Sequence, residues 1–327
     1  MHRIFSLFIG TLLTAFASVA VGEEIAVGNY GVSANGMPFG VALVKGYFKD
    51  EGLNITGLIS SAGGGTSLRN MLAGGGVPYG EVNPGVVVSA IQAGADLKIV
   101  SDNVLTVAEF VWAVKPDSPI KSIKDFKGKK IGYTNPRSTS QALARMLLQA
   151  GGYTEADAEL VKTGGFGEGI AALDSGQIDV AAITEPLWSK VKNKYRAVVV
   201  ASEVLPPLDN VVGVTTVEMA EKRGDFIRAV IRARRKAVQF MIAHPDEAAE
   251  IVAKQYNIEL EVAKSAVRNL TTSKTKGVPY WGEGQIHMEG LKRMIEAQRS
   301  VGAITGEVDY NKIIDTRFLP DDLKAIK

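Results

Sequence analysis

A chain of 327 residues with 46% hydrophobic and 22% charged residues is long enough to bury one large core or two smaller ones, which excludes a largely disordered protein. The formal charge of +2 leaves no electrostatic footprint for nucleic acid. Cysteine is absent and only three histidines occur, so a thiol nucleophile is excluded, and neither a metal site nor a cofactor is expected.

Arg3 gives the chain a small positive start, residues 4–21 are nearly all apolar or small, and Ser18-Val19-Ala20 supplies a small-x-small pattern. This predicts a secretory signal peptide over residues 1–22, cleaved near residues 20–22, and the lack of cysteine agrees with export into an oxidising compartment. The competing reading is an uncleaved membrane anchor, whose apolar run would lie near the lower end of spanning length. The mature chain is expected to be soluble outside the cytoplasmic membrane.

Residues 24–29 read as a first strand, followed by a Gly-, Ser-, Asn- and Pro-rich loop over residues 30–38. Tyr30, Ser33 and Asn35 in that loop are candidate ligand contacts, because open α/β sheets bind ligands beyond the carboxyl ends of their strands. Loop polarity alone would also place them there. One helix is expected to run to about Asp50, with Val41, Val44, Tyr47 and Phe48 at helical spacing and Gly52 closing it. Residues 53–60 form a second strand. The glycines of Gly63-Gly64-Gly65-Thr66-Ser67 permit close backbone approach to a ligand, which makes Gly65, Thr66 and Ser67 candidates at the start of a helix over residues 67–73. A helix over 86–93 and a strand over 97–101 follow.

The pattern restarts with a strand over 110–114, a turn over 123–130 and a strand over 131–133. Ser138-Thr139-Ser140 then starts an amphipathic helix with Leu143, Met146 and Leu147 inward. A helix start offers free N–H groups and hydroxyls to an anion, so Ser138, Thr139 and Ser140 are candidates, although capping alone would look the same. Arg137 could pair with a carboxylate or sulfonate, or stand as a solvated surface side chain. A helix over 169–175 leads to Gly176-Gln177-Ile178-Asp179-Val180-Ala181-Ala182-Ile183-Thr184-Glu185-Pro186. Its apolar run is too short for a helix and reads as a buried central parallel strand ending in a carboxylate. Glu185 could accept from an N–H of a ligand or merely cap the following helix; Trp188 could stack on a planar ligand or serve the core. Residues 74–84 show the same spacing and end in Asn83-Pro84, so Asn83 is expected to face Glu185 across a cleft. After residue 210 the chain reads as almost wholly helical, over 225–243, 245–255, 259–270 and 286–301. The fold class is therefore α/β, with two lobes, each a mostly parallel sheet flanked by helices, and a helical C-terminal tail.

Catalytic motifs are missing. There is no Gly-x-x-x-x-Gly-Lys-Ser/Thr loop and no Gly-x-Ser-x-Gly elbow, and Gly165-Phe166-Gly167-Glu168-Gly169-Ile170 fails Gly-x-Gly-x-x-Gly at its last position. His244 and His287 fall in tail helices, away from the strand ends where a triad would need one. No catalytic residue is assigned.

Pro38, Ala42-x-x-Lys45-Gly46-Tyr47-Phe48-x-x-Glu51-Gly52-Leu53, Ala93-Gly94-Ala95-Asp96-Leu97-Lys98-Ile99-Val100, residues 118–132 and the Gly-x-x-Asp…Thr-Glu-Pro of residues 176–186 come in an order that resembles the periplasmic solute-binding proteins of ABC importers. The likeness is to the nitrate/sulfonate/taurine type and its thiamine-pyrimidine relatives, and spans nearly the whole mature chain. Proline at position 78 departs from the Gly-x-x-Asp that this family carries in its first lobe. The resemblance implies a type II periplasmic binding fold with a first lobe over residues 23–108, a second over 109–210 and a return to the first over 211–327. Hinge segments would lie near residues 105–111 and 208–215. It further implies a monomer that captures a small organic anion or zwitterion and hands it to a membrane permease with a cytoplasmic ATPase. Nitrate fits less well, because Glu185 would repel it. Alternatives are a heteroaromatic ligand such as a thiamine-precursor pyrimidine, or a pyrimidine-synthase-like enzyme, whose reactive histidine and iron-binding cysteines have no counterpart here.

Overall fold

A computed structural model of the chain describes residues 22–61, 64–73 and 78–324. The expected signal segment up to residue 21, Gly63 and residues 74–77 lie outside the described residues. Strand β1 (Glu23–Gly28) is followed by α1 (Met37–Val44) and α2 (Tyr47–Asp50), then β2 (Ile55–Ser61), α3 (Gly64–Ala73), β3 (Gly80–Val82), α4 (Pro84–Gln92) and β4 (Leu97–Val104). The single helix expected up to Asp50 is two, because Gly46 adopts the left-handed conformation at φ 76° and interrupts the hydrogen-bond ladder. Ile25, Ala26 and Val27 are all fully buried, so both faces of β1 are covered by helices.

The chain then crosses to a second sheet through residues 105–109. There follow β5 (Phe110–Val114), β6 (Lys130–Tyr133), α5 (Thr139–Ala150), β7 (Glu159–Lys162), α6 (Phe166–Asp174), β8 (Ala181–Thr184), α7 (Leu187–Val191), β9 (Arg196–Val200) and α8 (Ala201–Val204). Its core is built by Phe126, Ile131, Leu143 and Leu147 beneath Trp112. The chain returns through residues 205–210 to β10 (Val211–Thr216), α9 (Val217–Lys222), α10 (Gly224–Ala243), α11 (Pro245–Tyr256), α12 (Leu260–Thr272), the short pair β11 (Lys274–Thr275) and β12 (Val278–Pro279), β13 (Trp281–Gly284), α13 (Met288–Ser300) and α14 (Tyr310–Ile313).

The first sheet has the order β13-β4-β10-β3-β1-β2. The second consists of β8-β5-β9 and the parallel pair β6-β7, linked by a bridge between Ile131 and Val180. In the first sheet β10 and the edge strand β13 run against their neighbours, and in the second β5 does; β10 and β5 are the strands that enter from the other sheet. Both arrive directly from a crossing segment, without a helix to reverse their direction. The β8 strand is central as expected, but its ladder with β5 is antiparallel and only its bridge to β6 is parallel. The tail is also less helical than expected, since β10 and β13 both complete the first sheet.

Candidate ligand-binding cleft

Between the two sheets lies a cleft of about 600 Å³. One wall comes from the loop after β1, the start of α3 and the end of β3. The other comes from residues 134–140, residues 164–168 and the end of β8, with Phe110 and Asn210 beside the crossing segments. Of the expected contacts, Ser33, Asn35, Gly65, Thr66, Asn83, Arg137, Ser138, Thr139 and Ser140 line it.

These side chains are held firmly. Ser33 Oγ donates to Asn35 Oδ1 at 2.8 Å, and the Tyr280 hydroxyl reaches the same oxygen at 3.3 Å. Ser138 caps α5 by accepting from the Gln141 N–H, while Ser140 Oγ accepts from the Thr134 N–H at 2.9 Å. Thr66 Oγ1 accepts from Arg69 at 2.8 Å, which keeps that guanidinium at the rim. Arg137 is exposed at a left-handed φ of 64°, its N–H donating to Gln141 Oε1.

Asn83 does two things at once. Its Oδ1 caps α4 by accepting from the Gly85 N–H at 2.8 Å, and its Nδ2 crosses the cleft to Thr139 Oγ1 at 2.9 Å and to the Asn210 carbonyl at 3.1 Å. Thr139 donates onward to Asn210 Oδ1 at 3.1 Å, and Asn210 donates to Glu109 Oε1 at 2.6 Å. The two sheets are therefore tied directly at this point. Burial pushes the Glu109 carboxyl up to about 8, against the opposing pull of its hydrogen bonds.

Four expected contacts lie elsewhere. Glu185 does not face Asn83; side chains alternate along a strand, and since Thr184 points into the cleft, Glu185 points to the opposite side. There it caps α7, accepting from the Ser189 N–H and hydroxyl, and receives Asn269 Nδ2 of α12 at 2.8 Å. Burial holds its carboxyl above the usual range. Trp188 borders the same outer recess as Glu185. Tyr30 turns away to donate to Gln255 Oε1 at 2.8 Å, and burial pushes its hydroxyl up to about 12. Ser67 is buried below the cleft surface, beside Gly28.

Glu81 is among the cleft residues that the sequence reading missed, with Arg69, Phe110, Phe166 and Asn210. It sits on β3, 1% exposed, and lines the cleft floor. Asn103 Nδ2 donates to its Oε1 at 3.0 Å, and Arg234 Nε lies 3.8 Å from the same oxygen. Burial pushes this carboxyl up to about 7, with Arg234 and Asn103 pulling the other way. Arg234 is itself buried, its guanidinium donating to the carbonyls of Gly282 and Asn103, each at 2.6 Å. The only sequence signal was an acidic residue beside Val82 in a segment too short to read as a strand.

Residues 33–248 match the family model described as NMT1/THI5 like. The chain is 23% identical over 297 residues to the riboflavin-binding protein RibY of Chloroflexus aurantiacus, covering 86% of this chain and 82% of that protein. It is 25% identical over 280 residues to a putative binding protein of Brucella abortus, covering 82% and 83%. Among solved structures, the periplasmic aliphatic sulphonate binding protein SsuA of Escherichia coli superposes with a TM-score of 0.75 at 19% identity, over 89% of this chain and 91% of that one. The periplasmic nitrate-binding protein NrtA of Synechocystis superposes with a TM-score of 0.70 at 13% identity, over 90% and 86%. At these identities the superpositions establish the periplasmic-binding-protein fold.

Proposed function

The chain belongs to the NMT1/THI5-like family, and on that premise we propose that it is an extracytoplasmic solute-binding protein that captures a small organic anion or zwitterion between two lobes and delivers it to an ABC importer. The observation that carries this reading is the convergence of helix N-termini on one cleft. The starts of α3, α5 and α6 all border it, at Gly65 and Thr66, at Ser138 to Ser140, and at Gly165 to Gly167. Each helix start presents N–H groups unsatisfied within the helix and the positive end of its dipole, which together favour a negative group. Arg69 and Arg137 add two cations at the rim. The lobes correspond to the two sheets, and the crossings at residues 105–109 and 205–210 are the hinge about which closure traps the ligand. Among the described residues no helix is long and apolar enough to cross a membrane.

A ring-bearing ligand is the second reading. Phe110 and Phe166 both line the cleft with ring centroids 6.0 Å apart, an apolar wall on which a planar heteroaromatic would pack. The name of the relative RibY points the same way. The test is a melting-temperature screen of the mature protein with alkyl and aryl sulfonates, aromatic acids, pyrimidines and flavins. A ligand at a hundredfold excess over its Kd stabilises the native state by about 2.7 kcal/mol, a rise of roughly 5–10 °C. A rise with neutral compounds alone would overturn the anion reading. Delivery is tested by asking whether loaded protein stimulates ATP hydrolysis by the reconstituted permease and ATPase.

A further inference from the structure

We infer that Glu81 is the specificity-determining acceptor of the cleft, its free Oε2 taking an ammonium or comparable N–H donor from a ligand whose anionic group rests at the helix N-termini. This rests on the solute-binding reading above and narrows the ligand to one that carries both signs of charge. The geometry supplies the argument. Glu81 Oε2 is buried and has no hydrogen-bond partner among the described residues, while Oε1 is engaged by Asn103. A buried carboxylate oxygen is normally hydrogen-bonded, and one left bare at the wall of a ligand cleft is an acceptor held open for a donor.

Most donors beneath it are already spent, and Arg234 Nε, which has no hydrogen-bond partner among the described residues, stands toward Oε1 at 3.8 Å. Asn103 Nδ2 is spent on Glu81 and on the Tyr79 hydroxyl at 3.0 Å, and Tyr79 in turn meets Ser101 Oγ at 3.1 Å. Both terminal guanidinium nitrogens of Arg234 are committed to backbone carbonyls. The carboxylate of this cleft-lining residue is thus engaged through Oε1, while Oε2 is left without a partner among the described residues. Across from it, at the end of β8 in the other sheet, Thr184 Oγ1 is likewise buried and without a partner among the described residues, and it lines the same cleft. A primary ammonium carries enough N–H bonds for more than one such acceptor. The carboxylate's negative charge repels the anionic end of the ligand, so Glu81 also fixes which way round the molecule lies.

The test uses sulfonates matched except at one terminus: taurine and homotaurine against isethionate and ethanesulfonate, and para-(aminomethyl)benzenesulfonate against para-toluenesulfonate. Melting shifts and calorimetric affinities of the mature wild-type protein are compared with those of Glu81→Gln. The amine of at least one set is expected to bind roughly tenfold or more tightly than its amine-free partner, and Glu81→Gln is expected to erase that preference. Equal binding of amine and amine-free partners by the wild type overturns the assignment while leaving the anion reading intact. A preference that survives in Glu81→Gln also overturns it. Binding by no sulfonate overturns the assignment, and the wider screen above then decides the anion reading. If Glu81→Gln does not fold, because Arg234 loses its counter-charge, the wild-type preference alone decides.

Discussion

Glu185 ends its strand with both carboxylate oxygens already engaged, one by Ser189 and Asn269 and the other by the N–H of Ser189. Replacing it with alanine strands the buried donors of Ser189 on α7 and frees the exposed Asn269 of α12, so Glu185→Ala is expected to cost about 1–3 kcal/mol of stability. Urea unfolding followed by circular dichroism measures this, and an unchanged midpoint would show that these hydrogen bonds carry no net stability. Asn83 stands in a different position, since it caps α4 and reaches across to Thr139. Asn83→Ala is expected to lose about 1 kcal/mol through the missing cap and to enlarge the ligand-free molecule as the two sheets part, which small-angle scattering would detect as a larger radius of gyration. These two residues explain what a sequence reading can and cannot reach. That polar residues precede Pro84 and Pro186 was legible; which of two successive side chains faces the cleft depends on strand register, which no local pattern of four residues fixes.

The elements with strong local signals were legible nearly to their ends. Ser138 was expected at the start of α5 and caps it, and Leu143 and Leu147 face inward at helical spacing. Truncation in that core, Leu143→Ala, is expected to cost about 2–5 kcal/mol, and a midpoint shift below 1 kcal/mol in denaturant titration would mean that the second sheet repacks around the gap. The end of β4 was legible only to Ser101, because Asp102 and Asn103 look like a turn in sequence yet lie buried within the strand. The polarity of this end is absorbed by tertiary partners: Tyr79 for Ser101, the His287 N–H for Asp102 and Glu81 for Asn103. β3 failed for the related reason that three residues give no periodicity to read, and its acidic member is tolerated only because Arg234 and Asn103 come from distant segments. Functional polarity inside a core is where pattern reading breaks down, and here it concealed the cleft floor.

At the scale of the whole molecule, five buried carboxyls, Glu185 among them, bias stability toward mild acid. Burial raises Glu81 to about 7 and Glu109 to about 8, and holds Asp102 and Asp209 well above the usual carboxylate range. Each binds its proton more tightly folded than unfolded, so its contribution is full below the unfolded value near 4 and is lost as pH rises through the folded one. His287, lowered mainly by burial, acts in the opposite direction as a single group. Asp125, Asp157, Glu218 and Asp322 are lowered, so they weaken the protein only below about pH 4. Calorimetry at constant ionic strength should therefore find the melting temperature higher at about pH 5 than at about pH 8.5, by several degrees; a flat or rising profile over that range would refute it. The tie from Asn83 through Thr139 to Asn210 has a kinetic consequence of its own. A cleft already latched in the empty protein admits solute only when the latch opens, so stopped-flow association should cease to accelerate as solute concentration rises, levelling off at the opening rate. Capture of solute would then be limited by the gate's own clock and no longer by diffusion.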